Sequence, residues 1–258
     1  MLSVKGLKKV YSTPTEDLEV IRDVTFDVEP GEFLTIVGPS GAGKTTLLRC
    51  MSGLLESSGG EIVLTRTGQV VTEPPKEMGC VFQDYSRSLM PWYRIERNVS
   101  LPLQNTIPDK AERKEVVRSA LAEVGLEGFE GSYPWQLSGG MQQRVAIARA
   151  IAYRPEILIM DEPFASVDAQ TRADLEDLIL RIKHDLGVTV LLVTHDIDEA
   201  VYLGDRVLVL SSRPTQVVRT FTVDLPSPRD QITTKRMPQF VDTRSEVLSL
   251  ISNQKAPA

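Results

Sequence analysis

The sequence predicts an α/β fold with a mostly parallel sheet, an antiparallel β part near the amino terminus and an inserted α-helical lobe. Three observations predict it. An apolar run, Phe33–Val37, leads into a glycine-rich stretch, Gly38–Thr45, and then into Thr46-Leu47-Leu48-Arg49: a buried strand, a loop and a helix start. From Glu156 onward, strand-like and helix-like segments alternate, which implies parallel strands joined by right-handed crossovers. Between these parts, Asp84–Ser138 loses strand alternation and takes up helical spacing.

In chain order, Ser3–Tyr11 reads as a strand and Ser12–Glu19, with Pro14, as a polar turn. Val20–Val28 alternates, with Val24, Phe26 and Val28 on one face. Pro30-Gly31-Glu32 turns the chain into the strand before the glycine-rich loop. A helix is expected from about Lys44 to Leu54, then two paired strands around Glu61–Leu64 and Gln69–Val71. Gly79–Phe82 is a buried strand that delivers Gln83. Within the lobe, Ile95–Leu103 forms a short helix limited by Pro102. Asp109–Val124 forms a better one, with Val116, Val117, Ala120, Leu121 and Val124 at helical spacing and Gly125 at its end. The later elements are strands at Glu156–Met160, Val188–Val193, Arg206–Leu210 and Val217–Val223, and helices at Ala169–Asp185 and Asp196–Leu203. The proline- and charge-rich stretch from Pro226 to Pro238 wraps the surface before a last short helix near Thr243–Ser252. The expected organisation is one domain over 1–225, with a lobe inserted at about 84–153, and a tail over 226–258.

The glycine-rich stretch carries the first chemistry. Gly38-Pro39-Ser40-Gly41-Ala42-Gly43-Lys44-Thr45 matches every fixed position of G-x-x-x-x-G-K-[ST], in the strand–loop–helix context that phosphate loop requires. Glycines let the backbone curl round a phosphate, backbone N–H groups point inward, and the helix adds its positive end. Lys44 reaches the outer phosphates and Thr45 offers a hydroxyl to Mg²⁺. An ordinary Gly-rich turn is the plain alternative. A P-loop NTPase core is the reading that also explains Ile157–Met160 followed by Asp161 and Glu162: the first carboxylate helps hold Mg²⁺, and the second orients and deprotonates the attacking water. A third element is Leu137-Ser138-Gly139-Gly140. Met141, Val145, Ala148 and Ala152 share one face after it, so Ser138 is the N-cap of a helix whose bare start suits an anion. One nucleotide needs only one such cradle, so a second makes sense if it serves a nucleotide on another copy.

Composition narrows the class. A chain of 258 residues with 41% hydrophobic and 25% charged residues has enough apolar material for a sizeable core. A net charge of −6 argues against a dedicated nucleic-acid binder. Cys50 and Cys80, the two cysteines, lack metal-ligand spacing and read as reduced core thiols. The start of the chain has no signal-peptide pattern, and no apolar run reaches the roughly 18–20 residues that span a bilayer. A cytosolic protein is expected, held by a partner if it works at a membrane.

Leu137-Ser138-Gly139-Gly140-Met141-Gln142-Gln143-Arg144 resembles the signature motif of ATP-binding-cassette (ABC) ATPases. Gln83 is similar to their Q-loop glutamine, Val167-Asp168 to their D-loop, His195 to their switch histidine, and Tyr11 to the aromatic that stacks on adenine. These motifs stand in the family's order over roughly 1–225, and the Asn-Lys-x-Asp motif of a GTPase is absent. The resemblance implies ATP and Mg²⁺ as ligands and two copies packed head to tail around two ATP molecules. Each ATP would meet Tyr11, Gly38–Thr45 and Thr46 of one copy, and Ser138, Gly139, Gly140 and Asp168 of the other. Glu162, His195 and Gln83 would be catalytic, and Thr45, Gln83 and, through water, Asp161 would hold the metal.

Leu89-Met90-Pro91-Trp92 with Asn98-Val99, Tyr133-Pro134-Trp135-Gln136 and Ser212-Arg213-Pro214 are similar to nitrate/sulfonate/taurine-type importer ATPases. Leu89, Met90, Trp92 and Tyr93 are expected to lie exposed and close together as a groove for a short permease helix, with packing in the core of the lobe as the plain alternative. Ala165-Ser166-Val167 and the Ser86-Arg87 pair depart from the subfamily's pattern without removing a catalytic group. The resemblance thus implies a homodimer on two permease subunits at the cytoplasmic face of the inner membrane, fed by an extracytoplasmic solute-binding protein. An exporter or lipid-extracting ATPase, or a soluble ABC ATPase, are the alternatives. Neither tandem cassettes nor a coiled-coil insertion is present to favour the last.

Overall fold

The computed structural model describes residues 1–12, 16–84 and 88–254. Pro14, Ser86 and Arg87 lie outside them. In chain order the elements are β1 (Leu2–Ser12), β2 (Asp17–Val28), β3 (Phe33–Val37), α1 (Lys44–Met51), β4 (Gly59–Leu64), β5 (Gln69–Val70), β6 (Met78–Val81), α2 (Ile95–Ser100), α3 (Lys110–Glu123), α4 (Gly139–Ile151), β7 (Ile157–Asp161), α5 (Ala169–Leu186), β8 (Thr189–Val193), α6 (Ile197–Leu203), β9 (Arg206–Leu210), β10 (Thr215–Thr222) and α7 (Pro238–Asn253). They form two compact units, 1–75 with 189–258, and 76–188.

In the first unit β3 is flanked by β8 and β9, both parallel to it. All five residues of β3 and of β8 are buried, the continuous apolar pattern of strands covered on both faces. The antiparallel part consists of β5, β4, β1 and β2 in that order. β10 joins the two parts, antiparallel to β9 and parallel to β2. Strands β3, β8 and β9 therefore end at one edge, where the loops after Val37, Val193 and Leu210 emerge. This is the edge at which α/β proteins bind ligands.

Two expectations in this unit need adjusting. β2 begins at Asp17, inside the stretch read as turn, because Tyr11 and Ser12 pair with Leu18 and Asp17. The last helix is longer than Thr243–Ser252. It starts at Pro238, the first helical position, where a missing N–H costs no helical hydrogen bond. Phe240, Val247 and Ile251 form its buried face, and Arg244 pairs with Asp198 of α6 at 2.6 Å. The preceding tail is anchored by Arg229, which donates to the Tyr202 carbonyl at 2.6 Å. Cys50 is buried in this unit, and burial pushes its thiol up to about 11, so it stays an inert thiol at neutral pH. Cys80, in the other unit, is half-buried.

In the second unit β6 and β7 run parallel, with Val81 opposite Met160. α4 packs against α2 and α3 to form the helical lobe. Asp109 caps α3 by accepting from the Glu112 N–H at 2.8 Å. The expected helix Ile95–Leu103 is α-helical only to Ser100. A 3₁₀ turn follows over Leu101–Leu103, with Pro102 inside it. Leu89 corrects a further expectation: it is 1% exposed and belongs to the core, not to an exposed cluster. The cause is Asn98, which is fully buried. Its amide donates to the Met90 and Tyr93 carbonyls at 3.1 and 3.0 Å, and its Oδ1 accepts from the Met90 N–H at 2.7 Å. Those bonds fold 90–93 back over the lobe, turning Leu89 inward while Trp92 stays 67% exposed.

Candidate functional site

The first unit carries the phosphate loop. Gly38 follows β3 where a side chain would crowd its neighbour, since a Cβ there would stand 3.0 Å from the Leu210 carbonyl oxygen. Gly43 has φ 92°, a left-handed conformation that favours glycine, and immediately precedes α1. No side chain caps α1, which leaves its first N–H groups to an anion. Lys44 is buried, and its ammonium donates to the carbonyls of Gly38 and Pro39 at 2.9 and 3.2 Å. A cation is thus fixed against the loop that its own chain curls round. Thr45 is exposed and Thr46 half-buried.

His195 is exposed just beyond β8, at the strand edge that the phosphate loop shares. The residues on either side of it are tied down. Buried Thr194 donates to Glu199 Oε2 at 2.6 Å and accepts from the Asp196 N–H at 3.0 Å. Asp196 caps α6 by accepting from the N–H groups of Asp198 and Glu199 at 2.9 and 3.2 Å. Tyr11, on β1, is 38% exposed, and Lys9 Nζ lies 5.1 Å from its ring centroid.

The second unit carries the carboxylates and the other helix start. Asp161 ends β7 and is buried, and Glu162 follows with φ 44°. A non-glycine residue held left-handed costs about 1–3 kcal/mol, and such strain gathers at functional sites. The parallel pairing of β6 with β7 brings Gln83 beside Glu162, and Gln83 Nε2 donates to Glu162 Oε2 at 3.2 Å. The two residues singled out separately from the sequence are thus one hydrogen-bonded pair.

Ser138 caps α4, its Oγ accepting from the Met141 N–H at 3.3 Å. Both Ser138 and Gly139 are exposed. Asp168 caps α5, accepting from the Gln170 and Thr171 N–H groups at 3.1 and 3.0 Å and from the Thr171 hydroxyl at 2.7 Å. The bond from the Thr171 N–H, more than any other contact, holds the Asp168 carboxyl below its usual range. Thr171 also packs on Gly140. A Cβ on Gly140 would stand 2.4 Å from Thr171 Cγ2. Thr171 cannot turn away without leaving Asp168. In an open helix Gly→Ala gains about 0.5–1 kcal/mol. Here Gly140→Ala is expected to lose about 1–3 kcal/mol through overpacking. Adding Thr171→Ser, which deletes the blocking methyl and keeps the hydroxyl, recovers most of the loss in a thermal melt.

Thr45, Gln83 and Asp161 offer hydroxyl, amide and carboxylate oxygens, the hard donors that suit Mg²⁺. Among the described residues there is no cluster of three His, Cys, Asp or Glu side chains. A Mg²⁺ ion that draws most of its ligands from phosphates and water needs none.

Residues 21–165 match the family described as ABC transporter. The aliphatic sulfonates import ATP-binding protein SsuB of Bacillus cereus is 40% identical over 96% of this chain and 94% of its own length. The nitrate import ATP-binding protein NrtC of Synechococcus elongatus is 39% identical over 98% of this chain, which spans 38% of that longer protein. Among solved structures, the dimeric post-hydrolysis state of the ATP-binding cassette MJ0796 bound to ADP and Pi is 32% identical. It superimposes with a TM-score of 0.75 over 86% of this chain and 99% of that one. The chain belongs to the ABC transporter family, as an ATP-hydrolysing cassette of it.

Proposed function

We propose that the chain is the ATPase subunit of an importer for a small solute of the nitrate, sulfonate and taurine kind, and that two copies close head to tail around two ATP molecules. One observation carries the dimer: the chain has two helix starts fit for phosphate, at Lys44 and at Ser138, and one nucleotide needs only one. A single nucleotide fills the first. Ser138, Gly139, Gly140 and Asp168 are left to the nucleotide of the partner copy. The dimeric cassette among the similar structures supports this reading.

Within one copy, Tyr11 stacks on adenine. The loop Gly38-Pro39-Ser40-Gly41-Ala42-Gly43, with Lys44, Thr45 and Thr46, holds the phosphates. Glu162 orients water and takes its proton, while the Gln83 amide fixes the carboxylate. His195 contacts the γ-phosphate and stabilises charge in the transition state. Thr45, Gln83 and Asp161 would hold Mg²⁺. When bound, that ion neutralises charge on the β- and γ-phosphates. Because ATP touches both copies, its binding favours the closed dimer, and hydrolysis followed by loss of the products lets the dimer open.

The solute class rests on the relatives, whose names cite nitrate and aliphatic sulfonates at nearly equal identity. No helix among the described residues is long and apolar enough to cross a membrane. We place the cassette at the cytoplasmic face of the inner membrane, on two permease subunits fed by an extracytoplasmic binding protein. Trp92 and Trp135, 67% and 70% exposed, are the surface for a short permease helix. Arg94 links their two segments: it donates to the Gly131 carbonyl at 2.6 Å and lies 5.3 Å from the ring of Tyr133, on which Trp135 stacks.

The test is to purify the cassette from membranes under gentle detergent. The expected result is a complex with two hydrophobic chains whose ATPase rises with one solute-loaded binding protein. Recovery only as a free soluble assembly, or on ribosomes, overturns the transporter reading. Stimulation by a lipid or an exported compound alone overturns import.

A further inference from the structure

The phosphate loop is gripped from outside by a residue far downstream. We propose that Thr215 is a positioning residue for nucleotide binding, which aims the Gly43 N–H at the phosphates. This rests on the reading of Gly38–Thr45 as the nucleotide loop.

Thr215 opens β10 and is 0% exposed. Its hydroxyl donates to the carbonyl of Ala42, a contact between residues 173 positions apart. The Ala42–Gly43 peptide is not among the cis bonds of the described residues, which lie at Pro214 and Pro228. In a trans peptide the C=O and the following N–H point in opposite directions. Fixing the Ala42 oxygen on the outer side of the loop therefore turns the Gly43 N–H to the inner side, where the anion sits. The loop's own bonds do not do this. The Ala42 N–H is spent on the Pro39 carbonyl at 3.1 Å, and that bond leaves the far side of Ala42 to be held by something else.

The wall behind the loop is rigid and close. A Cβ on Gly43 would stand 2.7 Å from Val20 Cγ1 of β2 and 3.3 Å from Thr215 Oγ1. The same turn touches the loop a second time, since a Cβ on Gly41 would lie 3.1 Å from Arg213 Nη2. Thr215 itself is held in register opposite Ile21 of β2. The turn before it is closed by the Ser211 N–H donating to the Gln216 carbonyl, and the Gln216 N–H to Ser211 Oγ, both at 2.9 Å. A buried carbonyl robbed of its donor is costly, and a glycine-flanked peptide can rotate in search of another. Rotation would take the Gly43 N–H away from the phosphates.

The experiment compares Thr215→Val, which keeps the shape and removes the donor, with Thr215→Ser, which keeps the hydroxyl, in the full-length chain. ATP and ADP affinities are measured with Mg²⁺ by calorimetry, and thermal midpoints without nucleotide. Thr215→Val is expected to weaken both nucleotides about tenfold, with kcat at saturating ATP changed less than Kd. Thr215→Ser is expected to stay within about twofold of the parent. Thr215→Ala, which lacks the donor and buries no new methyl, serves if the valine variant fails to fold. Parental affinity in a folded donorless variant overturns the proposal. So does a lowered thermal midpoint with unchanged affinity, or a serine variant as weak as the valine one. Lys44→Ala separates the two claims: if it also binds ATP as the parent does, the reading of the loop has failed and not the role of Thr215.

Discussion

Glu162→Gln is expected to slow ATP turnover by about 10²–10⁴-fold while leaving ATP bound. That loss corresponds to about 3–5 kcal/mol of transition-state stabilisation. The geometry makes the substitution a clean one. Glutamine has the shape of glutamate, and its carbonyl oxygen accepts from Gln83 Nε2 as the carboxylate oxygen does at 3.2 Å. The left-handed backbone at φ 44° is the same for either residue, so the strain cancels in the comparison. What is lost is the ability to take a proton from water. With hydrolysis blocked and closure intact, ATP is expected to hold two copies together. Gel filtration with ATP should show a stable dimer, and phosphate release should fall to the residual rate. A variant that turns over ATP at the parental rate removes Glu162 from the role of base. A variant that loses ATP affinity with it assigns Glu162 to ground-state binding.

What could be read from the sequence follows from what is local. The phosphate loop is legible because its chemistry lies in eight adjacent positions, Gly38–Thr45, bounded by a fully buried strand and a helix start. Helices α3, α4, α5 and α6 are legible because each begins behind its own cap, at Asp109, Ser138, Asp168 and Asp196. The start of α7 is hidden for the same reason inverted: Pro238 reads as a breaker, and only the fold shows it at the first helical position. Contacts that depend on topology were out of reach. The Gln83–Glu162 bond exists because β6 and β7 run parallel in one register. The Thr215–Ala42 bond needs β10 to return beside β2. Asn98 looks like any helix-borne amide until its burial and its bonds to 90–93 are seen. Leu89 then turns inward, and the exposed aromatic that remains is Trp92.

Ser138→Arg is expected to leave ATP binding to the isolated cassette within about twofold of the parent and to abolish dimer closure and turnover. Ser138 is exposed at the start of α4. An arginine there brings a bulky side chain to the helix start that we propose serves the partner's γ-phosphate. It also removes the cap on Met141, at a cost of about 0.5–2 kcal/mol. The two effects must be separated, and Ser138→Ala does so, since it loses the same cap without adding bulk. If closure fails because α4 has frayed, alanine and arginine lower the thermal midpoint alike and stop turnover alike. If closure fails because the interface is blocked, both variants melt at similar temperatures, alanine keeps part of the turnover, and arginine keeps none. A further control is mixing. Ser138→Arg paired with a Lys44→Ala copy builds one competent nucleotide site: the phosphate loop of the first copy against the intact Ser138 of the second. Partial turnover by that mixture, where each variant alone has none, is the outcome expected of a site shared between copies. A mixture as inactive as its components, together with lost nucleotide affinity in the Ser138→Arg monomer, would place Ser138 at the nucleotide of its own chain.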